Sequence, residues 1–184
     1  MEKKIDQNQV YFDFDIEVDN SIREEYKLLM DIPLRDSLSM KKGFGPIKAR
    51  SEDIKFTSRD GKKCMDISNH ILIIPTHNNI KTKSGRISME IFPLNNIKDK
   101  QYLFIHNNIQ YPSSTISIWI ENNNIYLHDI NGIRAIQNIK LIQNSWNNIE
   151  VDFNGSFYNC DNIYISDIQQ PFEGYIRNIK TFKK

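Results

Sequence analysis

The sequence predicts an all-β fold of antiparallel strands, folded as a sandwich or barrel. Short turn signals separate runs of alternating apolar residues, and their residue types adopt the positive φ angles that tight hairpins require. The signals are Asp60-Gly61, Asn122-Asn123-Asn124, Asn131-Gly132 and Asn154-Gly155. Isoleucine is abundant and alanine occurs only at Ala49 and Ala135, which favours strands over helices. A chain of 184 residues can bury a two-sheet core as a single domain.

The first predicted strand lies near the N-terminus. From Val10 to Val18, apolar residues alternate with acidic ones, so one strand face is apolar and the other acidic. The acidic face carries Asp13, Asp15, Glu17 and Asp19. Carboxylates bind calcium, so these four are candidate ligands, although side chains along one strand diverge and fit a solvated surface better. We interpret residues 1–27 as an N-terminal strand with a short helix, forming an arm or edge strand, and predict no cofactor other than this candidate ion.

The short helix is predicted just before the apolar run LLMDIPL. Ser21 and Glu24 have the spacing of a capping box. Ile22, Tyr26 and Leu29 recur at helical intervals.

Residues 35–52 are predicted to form a long loop, because glycine and proline cluster there without a sustained period. Structureless stretches of this length inside a domain are often functional. We therefore predict an assembly arm that reaches a neighbouring molecule, with a solvated surface loop as the alternative. The arm residues are Lys41, Lys42, Phe44, Lys48 and Arg50.

From Asp53 onward, short strands follow one another with regular turns. They are DIKFTS, KKCMDI, ILIIP, GRISMEIFPL, QYLFIH, TISIWIE, NIYLHD, NNIEVDF, NIYISDI and YIRNIKTF. In three of them alternate apolar residues share one face, as half-buried antiparallel strands require: Ile87, Met89 and Ile91; Ile116, Ile118 and Ile120; Ile149, Val151 and Phe153. The segment IRAIQNIKLIQ fits neither period well and is interpreted as a strand with a bulge.

Three stretches resemble the laminin-G-like and concanavalin A-like jelly rolls, a superfamily of lectins, glucanases and adhesion modules. They are ISIWIENNNIYLHD, a strand-turn-strand unit; WNNIEVDFNG, similar to a W-x-x-V-x-V-x-x-x-G segment; and FEGYIRNIKTF, similar to a closing F-x-G-x-I strand. The resemblance implies an antiparallel two-sheet jelly-roll sandwich over residues 28–184. Because this architecture hosts lectins, enzymes and interaction modules, it does not decide the function.

Charge and composition exclude several classes of function. The net charge is +1 and the basic residues are scattered, so neither nucleic acid binding nor membrane insertion is predicted. The N-terminus lacks the apolar core of a signal peptide, so we expect synthesis without Sec export. Cys64 and Cys160 have no metal or redox spacing and are expected to be free thiols.

No catalytic constellation is evident, and we predict that the protein is not an enzyme. Retaining glycosidases of the resembled superfamily need two glutamates on one strand. Glu17-Val-Asp19 and Glu150-Val-Asp152 each lack the second glutamate. The four histidines, His70, His77, His106 and His128, lack the spacing of a zinc site.

Three aromatic residues are the predicted ligand-binding platform. Trp119, Tyr126 and Tyr102 lie opposite the isoleucines of their strands, where exposed rings would pack on sugars or on protein. The alternative is that a sandwich with both faces covered buries them.

We thus predict a non-catalytic interaction module. The preferred interpretation is a structural protein of a virion, a bacteriophage head, ring or tail component made in the host cytoplasm, which forms oligomers with other proteins through its N-terminal strand and the arm. The alternative is a glycan-binding, lectin-like or adhesion module at the cell surface or secreted by a non-Sec route. A glycoside hydrolase ranks third.

Overall fold

The computed structural model describes residues 26–43, 45–50, 53–76, 79–80, 82–95, 97–106, 116–155 and 162–184. The described part of the chain forms strands and no helix, which confirms the predicted all-β class. The strands are β1 (Lys27–Ile32), β2 (Lys48–Ala49), β3 (Lys55–Arg59), β4 (Lys62–Asp66), β5 (Leu72–Pro75), β6 (Ser84–Pro93), β7 (Gln101–His106), β8 (Ile116–Glu121), β9 (Asn124–Asp129), β10 (Gly132–Ala135), β11 (Asn147–Asn154), β12 (Asn162–Ile165) and β13 (Gly174–Lys183).

The strands form two antiparallel sheets. Sheet A has six strands in the order β11-β6-β13-β4-β3, with β1 also paired to β13. Sheet B has seven strands in the order β10-β9-β8-β7-β12-β5-β2. The two sheets pack as a β-sandwich, so the predicted architecture is confirmed. In the described part of the chain, β8, β9 and β10 follow β7 as successive neighbours in sheet B, and β3 and β4 form a hairpin in sheet A. The other connections pass between the sheets or skip strands.

Three of the four turn signals are hairpins. Asp60 and Gly61 have φ angles of 48° and 74°, Asn122 and Asn123 have 50° and 57°, and Gly132 has 91°. These are the left-handed conformations that two-residue hairpins require. The fourth signal was wrong as a hairpin: β11 ends at Asn154 and pairs with β6 in sheet A, whereas β12 pairs with β5 and β7 in sheet B. A turn residue marks where a strand ends and does not specify where the next strand pairs.

The core lies between the sheets and is built from the predicted alternating residues. Ile87, Met89 and Ile91 of β6 are buried. The predicted apolar sets of β8 and β11 are buried in the same cluster. Ser117 and Trp119 of β8 are also buried, although they face away from this core, so β8 is covered on both faces.

The F-x-G motif of the closing strand has a steric basis. A Cβ atom on Gly174 would collide with the backbone oxygen of Phe92 and lie 2.8 Å from the ring of Phe172. Only glycine fits where β13 passes so close to β6.

Two local predictions were wrong. Leu29, placed at a helical position, lies in β1, which pairs with β13, because a short helix on its own is only marginally stable. Ser21, Ile22 and Glu24 of the predicted helix lie outside the described residues. The segment IRAIQNIKLIQ forms a strand only up to Ala135, and residues 136–146 leave the sheet as a loop.

The predicted loop at 35–52 is mostly loop. Its exceptions are β2 and an isolated bridge between Asp31 and Lys42. The four calcium candidates Asp13, Asp15, Glu17 and Asp19, together with Phe44, His77 and Cys160, lie outside the described residues. Within the described ranges, no helix has the length and apolarity to cross a membrane.

Candidate ligand-binding face

The outer face of sheet B carries the three predicted aromatic residues. On β9, Ile125 and Leu127 are buried in the core, while Tyr126 and His128 alternate with them and are half-buried on the outer side. Cross-strand pairing aligns Ala135, Tyr126, Trp119 and Tyr102 side by side across β10, β9, β8 and β7. We call Tyr102, Trp119 and Tyr126 the aromatic row.

The rings of the aromatic row contact one another. Trp119 stacks on Tyr126 with ring centroids 5.5 Å apart and an interplanar angle of 12°. Tyr102 lies on the other side of Trp119 at 6.0 Å, tilted by 57°. Trp119 is only 4% exposed, and its indole Nε1 donates to Glu121 Oε2 at 3.4 Å. Tyr102 and Tyr126 are half-buried and border the solvent. The buried Trp119 indole therefore packs against both tyrosine rings, and the accessible surface of the aromatic row belongs to Tyr102 and Tyr126.

Lys100 is a member of this cluster that the sequence analysis missed. Its Nζ lies 4.2 Å from the centroid of the Trp119 ring and 4.5 Å from that of Tyr102. A cation over an aromatic face is attracted by the ring quadrupole. The sequence did contain a signal for this contact, because Lys100 precedes Tyr102 by two residues and an extended chain places both side chains on the same side. A ligand that contacts the Trp119 ring has to displace the Lys100 ammonium, whereas a ligand that contacts the Tyr126 ring does not.

A second row of outward-facing residues runs beside the aromatic row and continues across sheet B. Its paired members are Ile133, His128, Ser117, Ile105, Tyr164, Ile73 and Lys48. Apart from His128, Ser117 and Lys48, these residues are apolar or aromatic. The outer face of sheet B thus offers a broad, largely uncharged surface.

The structure divides the predicted assembly arm between the two sheets. Lys41 and Lys42 are exposed beside β1, where the Lys41 and Lys42 backbones bond to Asp31. Lys48 lies on β2 in sheet B, and Arg50 follows it, its backbone N–H donating to the carbonyl of Ile71 at 3.1 Å. The four described cations of the arm therefore do not form one patch.

A pocket opens where β2, β5 and β12 reach the same end of sheet B. It has a volume of about 340 Å³ and is lined by Arg50, Asn69, Ile71, Asp167, Ile168 and Pro171. The loop that follows β12 joins it to the aromatic row, since the Tyr102 N–H donates to the Gln170 carbonyl at 3.0 Å. Of the lining residues, the sequence analysis singled out only Arg50.

The outer face of sheet A is different, because its aromatic rings are covered by the chain itself. Phe92 packs edge-on against Trp146 at 5.6 Å, and the Arg59 guanidinium lies 4.9 Å from the Phe92 centroid. Lys62 lies over Trp146 at 5.5 Å, and the Trp146 indole donates to the Arg59 carbonyl at 3.1 Å. These contacts cover the Phe92 and Trp146 rings with side chains of the protein itself.

Three carboxylates of β6 and β11 in sheet A, Glu90, Glu150 and Asp152, are engaged in ion pairs. Arg86 Nε and Nη2 donate to the two oxygens of Asp152 at 2.6 and 3.1 Å, and Nη1 lies 3.5 Å from Glu150. The hydrogen bond from Arg86 lowers the pKa of Asp152. For Glu90, burial alone would raise the pKa, but the hydrogen bond from Asn178 and the charges of Arg177 and Lys62 outweigh it, so the pKa is lowered.

The buried titratable groups are structural. His106 faces the core, and desolvation lowers its pKa to about 4. Burial raises the pKa of the Cys64 thiol. Among the residues that the structure describes, no group of three or more His, Cys, Asp or Glu side chains is arranged to hold a metal ion.

The sequence matches no protein-family model and no curated protein. Solved structures do match. Domain 4 of AbnA, a GH43 extracellular arabinanase from Geobacillus stearothermophilus solved in complex with arabinotriose, has a TM-score of 0.64 at 16% identity, covering 86% of this chain and 93% of that one. The chain shares its fold with that domain.

Two further structures have the same fold. The binding domain of botulinum neurotoxin serotype D has a TM-score of 0.63 at 13% identity, covering 86% of this chain and 48% of that one. A carbohydrate esterase from Shiga toxin-encoding bacteriophage phi24B has a TM-score of 0.56 at 12% identity, covering 86% and 99%. The chain thus spans about half the length of the neurotoxin domain. At these identities the likeness concerns the fold alone.

Proposed function

We propose that this protein is a non-catalytic glycan-binding module with a concanavalin A-like sandwich, which holds a sugar on the outer face of sheet B at the aromatic row. The observation that carries the proposal is the stacked pair of Trp119 and Tyr126, with Tyr126 bordering the solvent. Aromatic faces pack well against the C–H faces of sugar rings, and stacking on a buried indole fixes the tyrosine ring in place.

The structural neighbours support a glycan ligand. One neighbour with this fold was solved with arabinotriose, a second is a toxin binding domain, and a third is a carbohydrate esterase. A glycan ligand on this chain agrees with the outer face of sheet B, where apolar and aromatic residues outnumber the cations Lys48 and Lys100.

The state of the carboxylates supports a role without catalysis. A retaining glycosidase needs one protonated carboxyl group and one nucleophile about 5 Å apart. Glu150 and Asp152 instead share Arg86, and the lowered pKa of Asp152 makes it a poor proton donor.

The test is a glycan array followed by titration calorimetry with the best-bound oligosaccharide. We expect Tyr126→Ala to weaken binding by about tenfold or more, because the sugar loses its accessible ring, and Tyr126→Phe to retain most of the affinity. Tyr26→Ala, which removes a half-buried tyrosine near Arg86 and Asp152 on sheet A, is the matched control and should leave binding unchanged. An array without hits, or equal binding by the Tyr126→Ala protein, would refute the proposal.

A virion structural role is the second candidate, and exposed isoleucines support it. Ile130 and Ile133 are 56% and 66% exposed at the end of sheet B, beside β10, which in the described residues pairs only with β9. Apolar residues at a sheet edge favour pairing with another chain. In this role the protein would be located in a virion as an oligomer. Analytical ultracentrifugation should then show self-association that Ile133→Lys abolishes, and a monomer at all concentrations up to about 100 μM would count against it.

A further inference from the structure

The pocket beside the aromatic row combines polar and apolar side chains in the manner of a sugar subsite. We propose that it binds one neutral sugar residue of the glycan through a pair of adjacent hydroxyl groups; this inference rests on the proposed function. The pocket volume of about 340 Å³ lies at the lower end of the range for ligand sites and suits a single ring with its immediate linkage.

The polar side of the pocket consists of Arg50, Asn69 and Asp167. Each side chain ends in a planar group with two or more polar atoms, and such groups bond two neighbouring hydroxyls at once. Among the described residues, the Arg50 guanidinium and the Asn69 carboxamide have no hydrogen-bond partner, so both are available to a ligand. The charges of Arg50 and Asp167 cancel, which favours a neutral sugar over an acidic one.

The apolar side of the pocket consists of Ile71, Ile168 and Pro171. Ile71 is buried, whereas Ile168 is 57% exposed and presents apolar surface at the pocket. A sugar ring has an apolar C–H face as well as hydroxyl edges, so packing on Ile168 would cover this surface.

The pocket is preorganised by its own loop. Asp167 Oδ1 accepts the backbone N–H groups of Gln169 and Gln170 at 2.8 and 3.2 Å, and Asn69 holds a left-handed φ of 62°. These contacts involve one carboxylate oxygen and leave the other for a ligand. Local order of this kind reduces the entropy lost on binding.

The loop after β12 joins the pocket to the Tyr102 end of the aromatic row. The Tyr102 N–H bonds to Gln170, which is the residue before Pro171 of the pocket. A glycan with one sugar in the pocket would therefore extend past Tyr102 along the aromatic row toward Tyr126. The pocket determines which terminal sugar is accepted, and the row contributes affinity for longer chains.

The test compares pocket and row variants on ligands of two lengths. The probes are arabinotriose, cellotriose, the best array hit and the monosaccharide from each, with sialyllactose as an acidic probe, measured by titration calorimetry on the full chain. We expect Arg50→Met and Asn69→Gly to weaken both the oligosaccharide and its monosaccharide by about tenfold. Tyr126→Ala should weaken only the oligosaccharide. Asn69→Gly keeps the left-handed backbone, because glycine adopts this φ at no cost.

Lys41→Met is the matched control, since it removes an exposed cation beside β1, away from the pocket. Melting temperatures would verify that every variant is folded. If both pocket variants bind like the wild type while Tyr126→Ala loses affinity, the pocket inference fails and the glycan-binding function stands. If the wild type binds no glycan, both fail. Tighter binding of sialyllactose than of neutral sugars would overturn the assignment of a neutral ligand.

Discussion

Asp129→Ala is expected to lower the free energy of unfolding by about 3 kcal/mol, because this carboxylate is buried and fully bonded. Its side chain is 0% exposed and accepts Arg134 Nη1 and Nη2 at 2.8 and 2.9 Å. It also accepts the backbone N–H groups of Asn131 and Asn154, each at 2.9 Å. The bond to Asn154 links β9 of sheet B to the end of β11 in sheet A.

The size of this effect follows from what the substitution leaves behind. Two backbone donors lose their acceptor, and Arg134 loses its counter-ion. Arg134 is 38% exposed, so water compensates part of its charge and the loss stays at the lower end for a broken buried pair. Burial alone would raise the pKa of Asp129, but the bonds from Arg134 and the two backbone N–H groups lower it, so the carboxylate remains ionised in the folded protein.

Urea denaturation measures the prediction directly. Asp152→Ala, which removes an exposed carboxylate from the neighbouring strand, is the control and should cost less than about 1 kcal/mol. In the double variant Asp129→Ala/Arg134→Met, part of the stability should return, because no unpaired charge remains. A loss as small as that of Asp152→Ala would show that the Asp129–Arg134 pair and the bond from Asn154 contribute little.

His106 is expected to make the protein sensitive to acid. Desolvation holds its folded pKa at about 4, whereas an unperturbed histidine titrates near 6.5, so the unfolded chain binds the proton more tightly. Above pH 6.5, His106 is neutral in both the folded and the unfolded chain, so its contribution to the free energy of unfolding is fully present. As the pH falls toward 4, only the unfolded chain binds the proton, and this contribution decreases. Over this window, the free energy of unfolding should fall by about 3 kcal/mol.

This window separates the histidine from the ion-paired carboxylates. The pKa values of Asp129 and Asp152 are lowered from 3.8, so these groups lose their contribution at lower pH. Urea denaturation at several pH values between about 7 and 4 tests the slope. His106→Leu should be less stable than the wild type at neutral pH but lose little more on acidification, whereas His128→Gln should keep the full acid-induced loss. An equal slope in the His106→Leu protein would contradict the assignment to His106.

The two outer faces of the sandwich differ in a way that bears on function. On sheet A, Arg59 lies over Phe92 and Lys62 over Trp146, and Arg86 forms ion pairs with Asp152 and Glu150. On sheet B, the Lys100 ammonium lies over Trp119 and Tyr102, Tyr126 borders the solvent, and the loop after β12 joins the aromatic row to the pocket. Polar and aromatic groups available to a ligand are therefore concentrated on one face and one end of the fold.

Much of this fold was predictable from the sequence alone. Alternation with a period of two located the strands from β3 to β9 and from β11 to β13, and it identified the core residues of β6, β8 and β11. Asn and Gly placed three hairpins, because their positive φ is a local steric property. The same alternation placed Trp119 and Tyr126 away from the core. Tyr102 faces outward for another reason: a register shift between Tyr102 and Phe104 puts it on the same face as Ile105, not opposite it as the sequence predicted.

The tertiary structure alone decided which strands and side chains meet. The separation of β11 and β12 into different sheets, the burial of Trp119, the link from Asp129 to Asn154 and the pocket at Arg50 and Asp167 all join segments distant in sequence. The physical reason is that periodicity specifies which side of a strand is buried, and this depends only on the polarity of successive residues along the strand. The partner of a strand depends on the burial and hydrogen bonding of the whole assembled core, which no local pattern contains.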